Sequence, residues 1–177
     1  MTKKELLNNN ENLSFNDEDV MALDPLEAIR KRYDMYITST QPVIHMFKEI
    51  LDNSVDEFIN GFASEINIEL DTKLNKITVK DDGRGLPLGM NNKLKKPTME
   101  VLFTHVHSGA KYNKNTVKIS AGKNGVGIKT LTACGEFLRV TSTRDDKVGT
   151  MSFSRTKITE PLKLVTVSYT HLTLPTT

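Results

Sequence analysis

The sequence has a single cysteine, Cys134, no tryptophan, and an aromatic content of only 6%. One cysteine can form neither an intrachain disulfide nor a cysteine zinc cluster, so a reducing compartment is favoured. No apolar run approaches the roughly 20 residues that span a bilayer, and residues 1–20 lack the apolar core of a signal peptide. These absences predict a cytoplasmic protein with no membrane partner.

Neither sign of charge dominates, because 24 Lys and Arg residues face 22 Asp and Glu residues, for a net charge of +2. Such a small excess does not by itself indicate a nucleic-acid-binding surface, although a local patch could still contact DNA. The length of 177 residues, with 37% hydrophobic and 26% charged residues, is typical of one globular domain that buries a core.

Several elements are predicted along the chain. Asp24 and Pro25 form the N-cap and first turn of a short helix. The alternating segments "SEINIEL" and "LNKITVK" predict a β-hairpin, which the loop "DDGRGLP" follows. "TMEVLFTHV" has helical character, "AGKNGVGIKTLTACGEF" is a glycine-rich turn that enters a helix, and "FLRVTSTR", "VGTMSFS" and "LKLVTV" are strands. The mixture predicts an α+β two-layer sandwich with helices on one face of a mixed, mostly antiparallel sheet.

Both ends of the chain differ in composition from its middle. Residues 1–22 are polar and rich in asparagine, which predicts a flexible arm or a segment that a partner orders. Residues 168–177, "SYTHLTLPTT", look like a non-native tail. A single domain is therefore expected over residues 23–167.

The stretch "KEILDNSVDE" concentrates acidic residues on a predicted helix. Apolar residues recur at three- and four-residue steps, which predicts a buried stripe made of Ile44, Phe47, Leu51, Val55 and Phe58. The opposite face then carries Glu49, Asn53 and Asp56. This face is either a solvated acidic surface, or a surface that meets a cation or an arginine and keeps one carboxylate free for proton transfer.

Two glycine-rich loops are candidates for ligand binding. Gly83 and Gly85 let the main chain approach a flat ligand, although a plain tight turn explains them as well. Gly122, Gly125 and Gly127 open a helix, whose free N–H groups favour anions such as phosphate; close packing against a strand is the alternative. Neither loop matches a Walker A or G-x-G-x-x-G signature.

In their order, "EILDNSVDE", "DDGRGLP", "HSGAKY" and "GKNGVGIK" resemble the ATPase domain of the GHKL superfamily, and specifically that of type IIA DNA topoisomerases of the gyrase B and topoisomerase IV B kind. The resemblance covers residues 23–157. It implies a Bergerat fold in which ATP lies between helices and the face of an antiparallel-rich sheet, with ATP and Mg²⁺ as cofactors.

The resemblance also implies roles for individual residues. Glu49 corresponds to the general base that polarises the attacking water, and Asn53 to the Mg²⁺ ligand. Asp81 corresponds to the acceptor of the adenine amino group, and Arg84 to an arginine that pairs with Glu57 near the base. The other nucleotide-binding residues are Asp56, Gly83 and Gly85, the lid lysine Lys111, and Gly122, Lys123, Asn124, Gly125, Val126 and Gly127 of the phosphate-binding lid.

The same resemblance implies a function for the larger enzyme. ATP closes a dimer gate of two copies around double-stranded DNA, and a DNA-cleaving A-type subunit or domain completes strand passage. Those domains are expected to lie outside this chain, so strand passage is not expected from it alone. A nucleoid-associated cytoplasmic location follows, and both a bacterial and a phage origin stay open.

Two other hypotheses stay open. One is a GHKL ATPase of another class, such as a MutL-like repair protein, a heat-shock chaperone or a histidine kinase. The other is a binding module that does not hydrolyse ATP. Among the remaining polar residues, His45, His105 and His107 are interpreted as packing or solvent-facing residues, Ser54 is assigned to helix packing, and Thr150 is left out of the site.

Overall fold

The computed structural model describes residues 22–37, 40–106, 108 and 126–167. Its helices are α1 (Pro25–Lys31), α2 (Tyr33–Tyr36), α3 (Pro42–Ile59), α4 (Thr98–Thr104) and α5 (Gly127–Cys134). Its strands are β1 (Ile66–Asp71), β2 (Lys76–Asp81), β3 (Met90–Asn91), β4 (Lys96–Pro97), β5 (Leu138–Arg144), β6 (Lys147–Ser154) and β7 (Lys157–Thr166). None of the helices in these ranges is long and apolar enough to cross a bilayer.

Every strand pair in the described ranges is antiparallel. β1 pairs with β2, β3 with β4, and β5, β6 and β7 form a three-stranded sheet in that order. The predicted hairpin, the helix over "TMEVLFT" and the three strands near the C-terminal end are all present. Helix α2 and the short β3–β4 hairpin were not predicted, because neither segment has an apolar period long enough to detect. The α+β fold class is confirmed.

The main core lies between the three-stranded sheet and α4. Met99 and Phe103 of α4 are buried against Met151 and Phe153 of β6, and the two phenylalanine rings stack with centroids 5.6 Å apart. A smaller core joins α1 to α5 through Leu26, Ile29 and Ala133. This arrangement fixes α5 beside the sheet and presents its N-terminus to α3.

The ends of the helices follow local sequence rules. Asp24 caps α1 as predicted, since its Oδ1 accepts a hydrogen bond from the Leu26 amide at 2.9 Å. Helix α3 begins at Pro42 and ends at Ile59, and the chain then turns at Gly61, whose φ of +78° is readily available to glycine. The Phe62 amide then bonds the Glu57 carbonyl at 2.9 Å and the Gly61 amide bonds the Phe58 carbonyl at 3.0 Å, which is a Schellman motif.

The predicted burial of α3 is wrong. Ile44 and Phe58 of the expected buried stripe are 58% and 53% exposed, whereas Asp56, expected on the opposite face, is only 6% exposed. The reason is that the polar face packs against β2, the following loop and the start of α5, and its side chains find hydrogen-bond partners in β2 and the loop. Contacts from the rest of the fold therefore override the orientation that the apolar period favours.

Candidate functional site

The polar face of α3 meets the end of β2 through a serine and an aspartate. Ser54, only 5% exposed, donates its hydroxyl hydrogen bond to Asp81 Oδ2 at 2.6 Å. The other oxygen of the Asp81 carboxylate accepts the Gly83 amide at 3.0 Å. Ser54 was assigned to packing alone, because its partner lies 27 residues away along the chain and no local pattern links the two.

The next turn of the loop is tied to α3 by an arginine. Arg84 donates from Nη2 to Glu57 Oε1 at 2.7 Å, from Nε to Oε2 at 3.0 Å, and from its backbone amide to Oε2 at 3.1 Å. The expected pairing of Arg84 with Glu57 is therefore present. These bonds lower the pKa of Glu57 from its ordinary value of 4.5 and raise the pKa of Arg84.

An aromatic ring completes this cluster. The Arg84 guanidinium carbon lies 3.5 Å from the centroid of the Phe62 ring, a cation–π contact. The Schellman turn after α3 delivers Phe62 to that position, because its amide bonds back to Glu57, the residue that holds Arg84. Phe62 was missed in the sequence, where an exposed aromatic after a helix gives no signal of such a contact.

Strand β5 holds the loop from the other side. The Leu86 amide donates to the buried Ser142 hydroxyl at 2.6 Å, and Arg144 Nη1 donates to the Gly85 carbonyl at 3.1 Å. Gly85 has φ +70°, and a Cβ there would overlap the Thr143 carbonyl. A Cβ at Gly83 would lie 2.8 Å from Asp81 Oδ1. Glycine is thus required at Gly85 by the backbone of β5, while at Gly83 it leaves room for the Asp81 side chain. Ser142 and Arg144 are supports that sequence reasoning missed.

Glu49 lies one turn before Asn53 on α3 and touches the start of α5. A Cβ on Gly127 would overlap the Glu49 carboxylate, so glycine at this position lets the carboxylate reach the N-terminus of α5. Helix N-termini favour negative charge. His45 Nε2 lies 3.7 Å from Glu49 Oε1, so this partly buried histidine is a neighbour of the expected base.

Asn53 is also oriented by the helix. Its Nδ2 donates to the Glu49 carbonyl at 2.7 Å, which directs the amide nitrogen back to the helix. The remaining side-chain oxygen is the kind of ligand that Mg²⁺ takes beside water and phosphate oxygens. Within the described ranges, no group of three or more His, Cys, Asp or Glu residues could hold a metal ion.

The structure describes only some of the residues that are predicted to bind phosphate. Val126 is the N-cap of α5, and its carbonyl accepts the amides of Lys129 and Thr130 at 2.9 and 3.1 Å. Asp56 is buried in the last turn of α3, next to Glu57, which pairs with Arg84 of the loop. Five predicted site residues lie outside the described residues, and their roles stay predictions: Lys111, Gly122, Lys123, Asn124 and Gly125.

This combination of fold and site defines a nucleotide-binding ATPase class. A family model described as "Histidine kinase-, DNA gyrase B-, and HSP90-like ATPase" matches residues 42–174, and the chain belongs to this family. The predicted GHKL membership is thereby confirmed.

Among individual relatives, the chain is similar to bacterial topoisomerase proteins. It is 36% identical over 159 residues to the gyrase B protein of Clostridium acetobutylicum, covering 89% of this chain and 25% of that protein. It is 41% identical over 146 residues to the topoisomerase IV B protein of Staphylococcus aureus, covering 81% of this chain and 22% of that protein. The chain thus spans about a quarter of the length of these curated relatives.

A solved structure has the same fold. The 43K ATPase domain of Thermus thermophilus gyrase B, in complex with an aminocoumarin, superposes with a TM-score of 0.69 at 37% identity. The match covers 84% of this chain and 36% of that chain. The chain is therefore a GHKL ATPase domain that is similar to those of gyrase B and topoisomerase IV B.

Proposed function

We propose that this chain is the ATP-binding and hydrolysing module of a type II DNA topoisomerase, in which ATP closes a dimer gate that drives DNA strand passage. The observation that supports this most is that two carboxylates, one on α3 and one at the end of β2, are both placed by contacts of the same helix. Glu49 lies against the start of α5, and Asp81 is bonded to Ser54 of the same helix. One helix thereby connects a proton acceptor to a base-recognising carboxylate.

In this proposal the two ends of the site have different tasks. Asp81 accepts a hydrogen bond from the adenine amino group, while Gly83 and Gly85 leave room for the base and Arg84 lies beside it. Glu49 accepts a proton from the water that attacks the γ-phosphate, a role that requires hydrogen-bond reach and an ionised carboxylate. Magnesium, held through the Asn53 amide oxygen and the phosphates, would neutralise charge on the transferred group.

The larger function is proposed from the relatives. Double-stranded DNA, a second copy of this chain and a DNA-cleaving protein are the proposed partners, by similarity to the gyrase B and topoisomerase IV B proteins. A rise in the self-association of the chain on addition of a non-hydrolysable ATP analogue, measured by sedimentation velocity, would support the dimer gate. A monomer at saturating analogue would count against gate closure by this segment.

Calorimetric titration with a non-hydrolysable ATP analogue and Mg²⁺ tests the nucleotide site. Asp81→Asn should weaken binding by about tenfold or more, since a partly buried charged acceptor is replaced by a neutral group that can also donate. Asn53→Ala should weaken binding only when Mg²⁺ is present.

The matched control is Asp82→Asn, one residue further on. Asp82 binds the Ser64 hydroxyl and the amides of Ser64 and Glu65, so it serves the β1–β2 hairpin and faces away from Asp81's partners. Nucleotide affinity should be unchanged in this variant. Equal losses in the Asp81 and Asp82 variants, or no binding by the unaltered chain, would overturn the proposal.

A further inference from the structure

The buried Ser54 hydroxyl orients Asp81, the carboxylate that is proposed to bind the adenine base. Ser54 is 5% exposed and donates to Asp81 Oδ2 at 2.6 Å, while the Gly83 amide donates to Oδ1 at 3.0 Å. Each oxygen of the carboxylate therefore has one donor from the protein. The two bonds come from different elements, α3 and the loop after β2, so together they set the plane of the carboxylate.

Such a bond is needed because the terminal torsion of aspartate has no sharp preference of its own. The last side-chain torsion of Asp is broad, so its orientation is decided by hydrogen bonds. A serine in a helix can alternatively bond the carbonyl four residues earlier. Ser54 bonds Asp81 instead, so its hydroxyl is a donor that holds the carboxylate in one orientation. An ionised carboxylate can only accept further hydrogen bonds.

We infer that Ser54 is a positioning residue that makes the site select a base with an exocyclic amino group. The inference rests on the proposed function, since it assumes that Asp81 faces the base. A carboxylate that is held in place and can only accept hydrogen bonds favours a ligand that presents N–H groups to it. Without the Ser54 hydroxyl, the carboxylate turns, and its bond to the amino group weakens.

The test is a double-mutant cycle between the protein and the ligand, measured by calorimetry on the 177-residue chain. The ligands are ADP and purine riboside diphosphate, which has hydrogen in place of the 6-amino group; neither has a γ-phosphate to hydrolyse. The unaltered chain should prefer ADP. Ser54→Ala should reduce that preference by about fivefold, as expected for a lost hydrogen bond that acts through a charged group.

Two further variants separate positioning from packing. Ser54→Thr keeps the hydroxyl and should keep the preference for ADP. Thr132→Val removes another buried helical hydroxyl, one that bonds the Ile128 carbonyl at 3.1 Å. It should lower the unfolding temperature without changing the preference.

The outcomes are distinct. An unchanged ADP preference in Ser54→Ala, or a preference lost in Ser54→Thr, would overturn the inference while the proposed function stands. Failure of the unaltered chain to bind either ligand would instead overturn the proposed function. If Ser54→Ala does not fold, Ser54→Cys takes its place, because a thiol of similar size is a weaker hydrogen-bond donor. Its ADP preference should fall, and an unchanged preference would overturn the inference.

Discussion

The two ends of the candidate site are built differently. At the end near Asp81, side chains bond across long stretches of sequence: Ser54 to Asp81, Glu57 to Arg84, and Arg144 to the Gly85 carbonyl. At the end near Glu49, the described contacts are the start of α5 at Gly127 and a histidine 3.7 Å away. The first end is a bonded network, and the second depends on how one carboxylate meets one helix.

This difference suggests that one end of the site governs affinity and the other governs turnover. A network whose hydrogen bonds are already formed costs little to organise when a ligand binds, so it should govern affinity. A single carboxylate that takes a proton should govern turnover and contribute little to binding. The predictions below either separate these two effects or show that they are coupled.

The largest expected effect is on turnover. Glu49→Gln keeps the shape of the side chain but removes the proton acceptor, so ATP hydrolysis should fall by about a hundredfold or more. The affinity for a non-hydrolysable ATP analogue should change little. Steady-state hydrolysis measures turnover, and calorimetry measures affinity.

The control is Asp52→Asn, which removes one charge from the same helix. Equal losses of hydrolysis in both variants would show that the charge of the helix matters more than the position of Glu49.

A large effect on stability is expected at Gly85. Gly85→Ala combines a φ of +70° with overlap of the Thr143 carbonyl, and should lower the free energy of unfolding by about 3 kcal/mol. Gly61→Ala tests the positive φ by itself, since φ is +78° and no atom lies within 4 Å of the added Cβ. Gly89→Ala has neither problem and should be nearly neutral. Denaturant unfolding ranks the three variants, and a Gly85 variant as stable as Gly89→Ala would contradict the close approach to β5.

An intermediate effect on affinity is expected at Arg84. Arg84→Lys loses the bidentate hydrogen bonds to Glu57 and the stacking of the guanidinium on the Phe62 ring. Nucleotide affinity should therefore fall by about tenfold. The matched control is Arg139→Lys, because Arg139 also pairs with a glutamate, Glu160, at 2.9 Å, but on the three-stranded sheet. Calorimetry should detect no change of affinity in the control. A similar loss in both variants would indicate a general effect of arginine pairs on folding.

The smallest effect is on acid stability. The bond to Arg84 lowers the pKa of Glu57, so the folded state is favoured above the ordinary pKa of 4.5 and loses this contribution as the pH falls through the lowered pKa. Glu57→Gln should therefore be less stable than the unaltered chain at neutral pH, and the difference should shrink below about pH 4.5. Urea unfolding across this range measures it. A difference that does not depend on pH would show that the pair stabilises through packing alone.

Local patterns predicted most of the elements of the fold. The cap at Asp24 and the alternation in β1 and β2 depend on neighbours close in the chain, and the structure has these elements there. The orientation of α3 was predicted wrongly, because its apolar period gave a buried stripe that includes Ile44 and Phe58. The partners of its polar face lie up to several dozen residues away, which no local pattern can show.

The sequence by itself determined the order of the main elements, the family resemblance and the residue types of the site. Helix capping, strand alternation and glycine turns act within a few residues, so they can be inferred without coordinates. Only the tertiary structure decided that Ser54 bonds Asp81, that Phe62 lies on Arg84 and that Gly127 admits the Glu49 carboxylate. These contacts join residues that are distant along the chain, and they exist because the packing of α3 against β2 and α5 brings the residues together.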